Sequence, residues 1–273
     1  MTPPGHRTDR PWIVALDIDG TTLDQHGSIS DGVLEHVRRL DAAGNHVMFA
    51  TGRSPATTLP LLERFDIAPR FLVCSNGAIT LHRDGDAPSG YRREWVEAFD
   101  PSDVLETIRT HLPVGRFAVE DELGHFRYAA PFPERTIGLD SEQVTFDELR
   151  AHPVTRVVVI SPDDDTEAFL AVVKRMGLHR VSYVVGGTVW LDIAADGVNK
   201  ATAMERVRGE LDVPRERVMA VGDGRNDVEL LAWAAEHGRG VAMGGSLPEV
   251  LEAAGEVTAS VQGDGLAHVL SSL

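Results

Sequence analysis

Residues 12–22 read Trp-Ile-Val-Ala-Leu-Asp-Ile-Asp-Gly-Thr-Thr, with the acids at Asp17 and Asp19. A short apolar run that stops in acids and a glycine has the form of a buried parallel strand opening into a functional loop. The next sixty residues keep to that grammar. Residues 30–43 carry Val33, Leu34, Val37 and Leu40 at helical spacing and close on Gly44, a helix-ending residue. Residues 46–50 read as a second buried strand, 55–65 as a helix, and 71–74 as a third strand ending in Ser75-Asn76-Gly77. Alternating strands and helices predict a parallel sheet with crossover helices.

The pattern changes between residues 79 and 193. Strand-like runs come in pairs there, 117–120 with 125–129 and 181–185 with 188–193, the last two joined by Gly186-Gly187, a hairpin signal. Helical patterns at 101–112 and 166–176 would cover one face of an antiparallel sheet. Beyond it, 200–211 returns to helix, 218–221 is a buried strand ending in Gly222-Asp223-Gly224, 227–235 is a helix, and 240–243 a last short strand. The expected architecture is α/β, a Rossmann-like parallel-sheet core with an inserted α+β cap. Its expected parts are a flexible tail at 1–10, a core at 11–80 and 195–273, and a cap at 81–194.

Composition narrows the partners. A formal net charge of −16 opposes a nucleic-acid backbone, whose binding needs basic patches, and an anionic membrane surface. No apolar run approaches the ~20 residues of a membrane span, and the polar start lacks the apolar segment of a secretory signal. The same charge repels anionic substrates at long range, so a phosphate site must be rebuilt locally from Lys, Arg, backbone N–H groups or a metal. The single cysteine, Cys74, rules out an intrachain disulfide and fits a reducing compartment, the cytoplasm. It lies in an apolar run and reads as a core residue.

Two strands some two hundred positions apart both end in carboxylates, Asp17 and Asp19 after the first, Asp223 and Asp227 after 218–221. Ligands of open parallel sheets bind outside the carboxyl ends of the strands, where these groups can meet. Converging carboxylates repel, and a hard divalent cation is the simplest way to hold them together, with magnesium (Mg2+) the choice that also keeps waters and a phosphate oxygen. Thr51, Gly52 and Arg53 after the second strand offer a hydroxyl, a close-approaching backbone and a guanidinium. The backbone around Gly20 adds donors, and Lys200 a point charge. An EF-hand is excluded, since Ser28 stands where its loop needs glutamate.

Asp17-Ile-Asp19-Gly-Thr-Thr, Thr51-Gly-Arg53, Lys200 and Gly222-Asp223-Gly-Arg-Asn226-Asp227, in that order, resemble the four motifs of the haloacid dehalogenase superfamily, in particular its Cof-type phosphatases with a large cap. Ser75-Asn76-Gly77-Ala78 and Gly240-Val-Ala-Met-Gly244 extend the likeness over nearly the whole chain from Trp12. The resemblance implies a phosphatase of small phosphorylated metabolites, sugar phosphates first, with nucleotide and cofactor phosphates behind. In it, Asp17 is the nucleophile and Asp19 the acid and base. Thr51 and Lys200 hold phosphate oxygens, with Gly20, Gly52, Arg53 and Asn226 around them. Asp17, Asp223, Asp227 and the backbone carbonyl of Asp19 bind Mg2+. Thr22, Leu231 and Gly245-Ser246 depart from the common pattern without removing a catalytic group. A phosphomutase and a non-catalytic phosphometabolite-binding protein are the alternatives. The hairpin 181–193, residues 120–122 and Tyr128 are the expected cap contacts to the leaving group, and the oligomeric state, monomer or homodimer, is left open.

Overall fold

The computed structural model describes residues 10–132, 141–161, 166–176, 181–185 and 190–273. Ile13–Leu16 (β1) is followed by Asp31–Ala42 (α1), His46–Phe49 (β2), Pro55–Phe65 (α2) and Phe71–Cys74 (β3). Helix α1 starts where the Ser30 hydroxyl accepts the Val33 N–H at 3.1 Å, an N-cap contributing about 1 kcal/mol. It buries Val33, Val37 and Leu40, the helical stripe the sequence announces.

Ile79–Arg83 (β4) and Tyr91–Val96 (β5) come next, then Ser102–His111 (α3), Arg116–Glu120 (β6), Phe126–Tyr128 (β7), Ser141–Gln143 (β8) and Phe146–Leu149 (α4). Arg156–Ile160 (β9), Thr166–Met176 (α5), Val181–Val185 (β10) and Trp190–Ala195 (β11) complete the middle of the chain. Lys200–Glu210 (α6), Val218–Gly222 (β12), Val228–Ala235 (α7), Arg239–Ala242 (β13), Pro248–Ala253 (α8), Glu256–Val257 (β14) and Gly265–Leu270 (α9) end it.

One sheet has the order β14-β13-β12-β1-β2, every pair parallel. It is covered on both faces: Val14 and Leu16 of β1 join one apolar cluster, Ile13 and Ala15 the other. An aliphatic side chain so fully buried contributes ~1.5–3 kcal/mol. A bridge between Ala50 and Val73 carries the sheet to β3, and β3, β4 and β5 form an antiparallel sheet of their own. Ile79 and Leu81 pack into the same cluster as Val14. Arg92, on the outermost of these three strands, pairs with Asp84 and Glu94. Cys74, fully buried at the end of β3, has its thiol pushed up to about 12 by burial.

The third sheet runs β10-β11-β9-β6-β7-β8, antiparallel except between β7 and β8. Strict alternation divides its faces. Phe117, Val119, Val157, Val159, Leu191 and Ile193 pack against α3 and α5. Ala118 and Val158 lie on the other face, which Glu120, Arg156 and Asp192 share by register. Strands β10 and β11 pair as a hairpin would require, while Gly186-Gly187 lies outside the described residues. Among the described residues no helix is long and apolar enough to cross a membrane.

Candidate active site

Strand β1 has β12 on one side and β2 on the other, so the crevice at its carboxyl end is a switch point of the sheet. Asp17 is the first residue past β1, anchored by its N–H to the Val221 carbonyl at 2.9 Å. Its carboxylate meets Lys200, the first residue of α6, at 2.5 Å, and the same ammonium reaches Asp227 at 2.7 Å. Lys200 and Asp227 are wholly buried, and a buried charge persists only when paired. The second oxygen of Asp227 accepts the N–H groups of Asp223 at 3.0 Å and Gly224 at 2.9 Å. This closes the turn that leaves β12. Asp223 accepts the Thr21 hydroxyl at 2.9 Å.

The electrostatics are unbalanced. Burial raises the Asp17 carboxyl well above its ordinary value, Asp227 and Asp223 add to the rise, and Lys200 opposes it. Asp223 is pushed up to about 6, by burial first and by Asp227 second. Burial works against the charge of Lys200, yet Asp17 and Asp227 outweigh it and keep its pKa above the ordinary lysine value. Three carboxylates with ligand oxygens within 4.8 Å of one another face one ammonium. That hard, oxygen-only and over-negative set fits a divalent cation such as magnesium.

Gly20 makes the crowding possible. It sits at φ +85°, and a Cβ there would lie 2.2 Å from the Asp223 carboxylate. Gly20→Ala is expected to cost about 1–2 kcal/mol through the left-handed backbone alone and to push Asp223 aside, weakening magnesium binding. Calorimetric titration with magnesium checks this; wild-type affinity in the variant would overturn it.

Asp19 is turned elsewhere. Its side chain is largely exposed and held by Arg53 in a two-pronged pair, Nε to Oδ2 at 2.7 Å and Nη2 to Oδ1 at 2.5 Å. Its carboxylate is therefore not among the three that converge. Thr51 is buried, its N–H bonded to the Val73 carbonyl at 2.9 Å and its hydroxyl accepting the Arg53 N–H at 3.1 Å. A Cβ on Gly52 would lie 3.0 Å from the Asn76 side chain and 3.5 Å from that of Asn226. Asn226 donates to the Asn76 side-chain oxygen at 3.0 Å.

Two contributors escaped the sequence reading, Asn76 and Arg156, while Asp192 falls within the hairpin 181–193 expected near the leaving group. Asn76 donates to Asp192 at 2.9 Å, and Arg156 donates to the Gly52 carbonyl at 2.6 Å. Glu120, expected to approach a leaving group, is wholly buried and accepts the Ser75 hydroxyl at 3.0 Å. The available signal was a charge set against an apolar run in each of three strands, Phe-Ala-Val-Glu120, Arg156-Val-Val-Val and Trp-Leu-Asp192-Ile.

A parallel sheet whose switch point gathers carboxylates around one buried lysine defines an α/β protein with an acidic, metal-compatible crevice. The chain belongs to the haloacid dehalogenase-like hydrolase family, whose model it matches over residues 14–270. It is 28% identical over 268 residues to the Bacillus subtilis 5-amino-6-(5-phospho-D-ribitylamino)uracil phosphatase YitU, covering 96% of this chain and 97% of the relative. It is 26% identical to the HMP-PP phosphatase of Serratia proteamaculans, covering 87% and 85% of the two chains. Among solved structures, a sugar phosphatase of haloacid dehalogenase subclass IIB superposes with a TM-score of 0.79 at 20% identity, over 96% of this chain and 98% of that one. The fold is thus shared with that solved structure.

Proposed function

We propose that the chain is a magnesium-dependent phosphatase that hydrolyses phosphate monoesters of small metabolites, sugar phosphates foremost, with Asp17 as nucleophile. The observation that carries the reading is the Lys200 ammonium bridging Asp17 and Asp227 beside Asp223. A nucleophilic carboxylate needs its charge balanced in a dry site, and the phosphoryl group needs the same lysine once it arrives. The relatives' names as phosphatases and the sugar phosphatase among the structural neighbours support the substrate class.

An Asp17 oxygen attacks phosphorus while the ester P–O bond breaks. The departing oxygen takes a proton from Asp19, giving an alcohol and an aspartyl-phosphate. Asp19 then removes a proton from water, whose oxygen attacks phosphorus and releases inorganic phosphate, restoring Asp17. In the substrate-free arrangement Arg53 holds the Asp19 carboxylate in a two-pronged pair. A phosphate that draws Arg53 away frees the Asp19 side chain to face the departing oxygen. Thr51, Gly20, Gly52 and Asn226 orient the phosphate oxygens. Asp17, Asp223, Asp227 and the Asp19 carbonyl would hold Mg2+, which when bound neutralises charge on the carboxylates and the phosphoryl group. Residues 81–194 act as the cap that selects the leaving group and excludes water, and the reducing environment suited to the lone buried Cys74 makes the cytoplasm the working compartment.

Inorganic phosphate release from a panel of sugar, nucleotide and cofactor monophosphates, with and without magnesium, tests the reading. Magnesium-dependent release, fastest with sugar phosphates, is the expected result, with loss of at least about 100-fold on chelation given the charge that must be neutralised. No release from folded protein would overturn it, and phosphate returned to a second position of the substrate would identify a mutase.

A further inference from the structure

Ser75 and Asn76 both adopt left-handed backbone, at φ 49° and 53°, which for two consecutive non-glycine residues is strained and persists only when the surroundings impose it. Their side chains end on the six-stranded sheet, Ser75 on Glu120 at 3.0 Å and Asn76 on Asp192 at 2.9 Å. Between these two carboxylates lies Arg156, 3.1 Å from Glu120 and 3.2 Å from Asp192, its guanidinium over the Phe126 ring.

Replacing such a buried trio with apolar side chains is often neutral or stabilising, so stability alone does not account for it. The contacts it makes are on the other side of the crevice. Arg156 donates to the Gly52 carbonyl at 2.6 Å, and Asn76 accepts from Asn226 at 3.0 Å. The backbone N–H of Asn76 also bonds the Thr51 carbonyl at 3.0 Å, and that of Ser75 the Arg53 carbonyl at 2.8 Å. One guanidinium on β9 is therefore linked to Gly52 directly, to Thr51 and Asn226 through Asp192 and Asn76, and to Arg53 through Glu120 and Ser75.

We propose that Arg156, held between Glu120 and Asp192, is a positioning residue that couples docking of the six-stranded sheet to the shape of the phosphate-binding loops. Phosphate is then gripped fully only while that sheet is seated, because Gly52 and Asn226 take their orientation from Arg156 and Asn76. The inference rests on the proposed function, in which these loops bind phosphate.

The test is a double-mutant cycle of Arg156→Met and Asn76→Ala, reading inorganic phosphate affinity by calorimetry with magnesium present, alongside kcat, KM and Tm. Each single change is expected to weaken phosphate binding by about tenfold, and the double variant by no more than about twice either single one, as members of one network behave. KM is expected to rise in step with phosphate affinity, and Arg156→Lys to recover part of it. Losses that multiply in the double variant, or a fall in Tm with phosphate affinity unchanged, would overturn the proposal. Should the methionine variant not fold, Asp192→Asn, equal in shape, takes its place in the cycle. If the wild-type protein binds phosphate but turns over no monoester, the phosphatase reading fails while the cycle still decides the coupling.

Discussion

Asp17→Asn is expected to lower phosphate release by about 10⁴-fold or more, since removing the nucleophile of a hydrolase leaves only binding and charge stabilisation. The side chain keeps its shape and Lys200 keeps a partner oxygen, so the folded state survives. Without magnesium it should gain. The folded-state pKa of Asp17 lies above its ordinary value of 3.8, so its proton is held more tightly in the folded chain than in the unfolded one. The stability this supplies is complete below the unfolded value and is lost as pH rises through the folded one. At pH 8 the ionised carboxylate is a burden that asparagine removes, and near pH 4 the advantage disappears. Single-turnover phosphate release and thermal unfolding at the two pH values check both halves. Activity within tenfold of wild type would remove Asp17 as nucleophile, and a lower metal-free Tm at pH 8 would contradict the charge argument.

Lys200→Met carries the second large effect, on stability as well as rate. It leaves Asp17 and Asp227 side by side without the ammonium that bridges them at 2.5 and 2.7 Å. Breaking a buried pair from one side typically costs 3–5 kcal/mol, and about that loss is expected at pH 8. The wild-type lysine, with its folded pKa raised, contributes throughout the range below its ordinary value, so the pH dependence of the variant comes from the carboxylates. The Asp17 pKa, which Lys200 holds down, rises further once the cation is gone. The variant should accordingly recover much of its Tm as pH falls toward 5, and also when magnesium is added at pH 8. Thermal unfolding with and without the ion measures this. An equal loss at both pH values, unmoved by magnesium, would mean that the lysine stem matters through packing rather than charge.

Much of this was legible in the chain because the site stands on strand ends. Apolar runs closing in Asp17-Ile-Asp19-Gly20 and Gly222-Asp223-Gly224 name both the strands and the groups they deliver, and β2 and β3 lie where periodicity puts them. The short helices α8 and α9 have too few turns to show a period. Strands β4 and β5 carry Arg83, Arg92, Arg93 and Glu94 among their apolar residues, with a register shift beside them, so their apolar pattern reads as irregular. The contacts that join Glu120, Arg156 and Asp192 were hidden for a different reason. A charge inside a strand normally marks the solvent face, and only the docking of that face onto Ser75, Asn76 and Gly52 turns these three inward. The pairing of Asp19 with Arg53 likewise belongs to space rather than sequence, 34 positions apart.

Cys74 gives the molecule a built-in reporter. It is the lone thiol of the chain, sealed at the end of β3 directly before the strained Ser75-Asn76 turn, and its raised pKa leaves almost no thiolate at neutral pH. Its side chain packs with Leu61, Leu62 and Phe65 of α2, so an alkylating reagent can modify it only when the core around β3 and α2 opens and water enters. The rate of labelling in the untouched wild-type chain is thus a clock for opening of the core beneath the catalytic loops, and ligands that tighten the strand end at β3 will slow it.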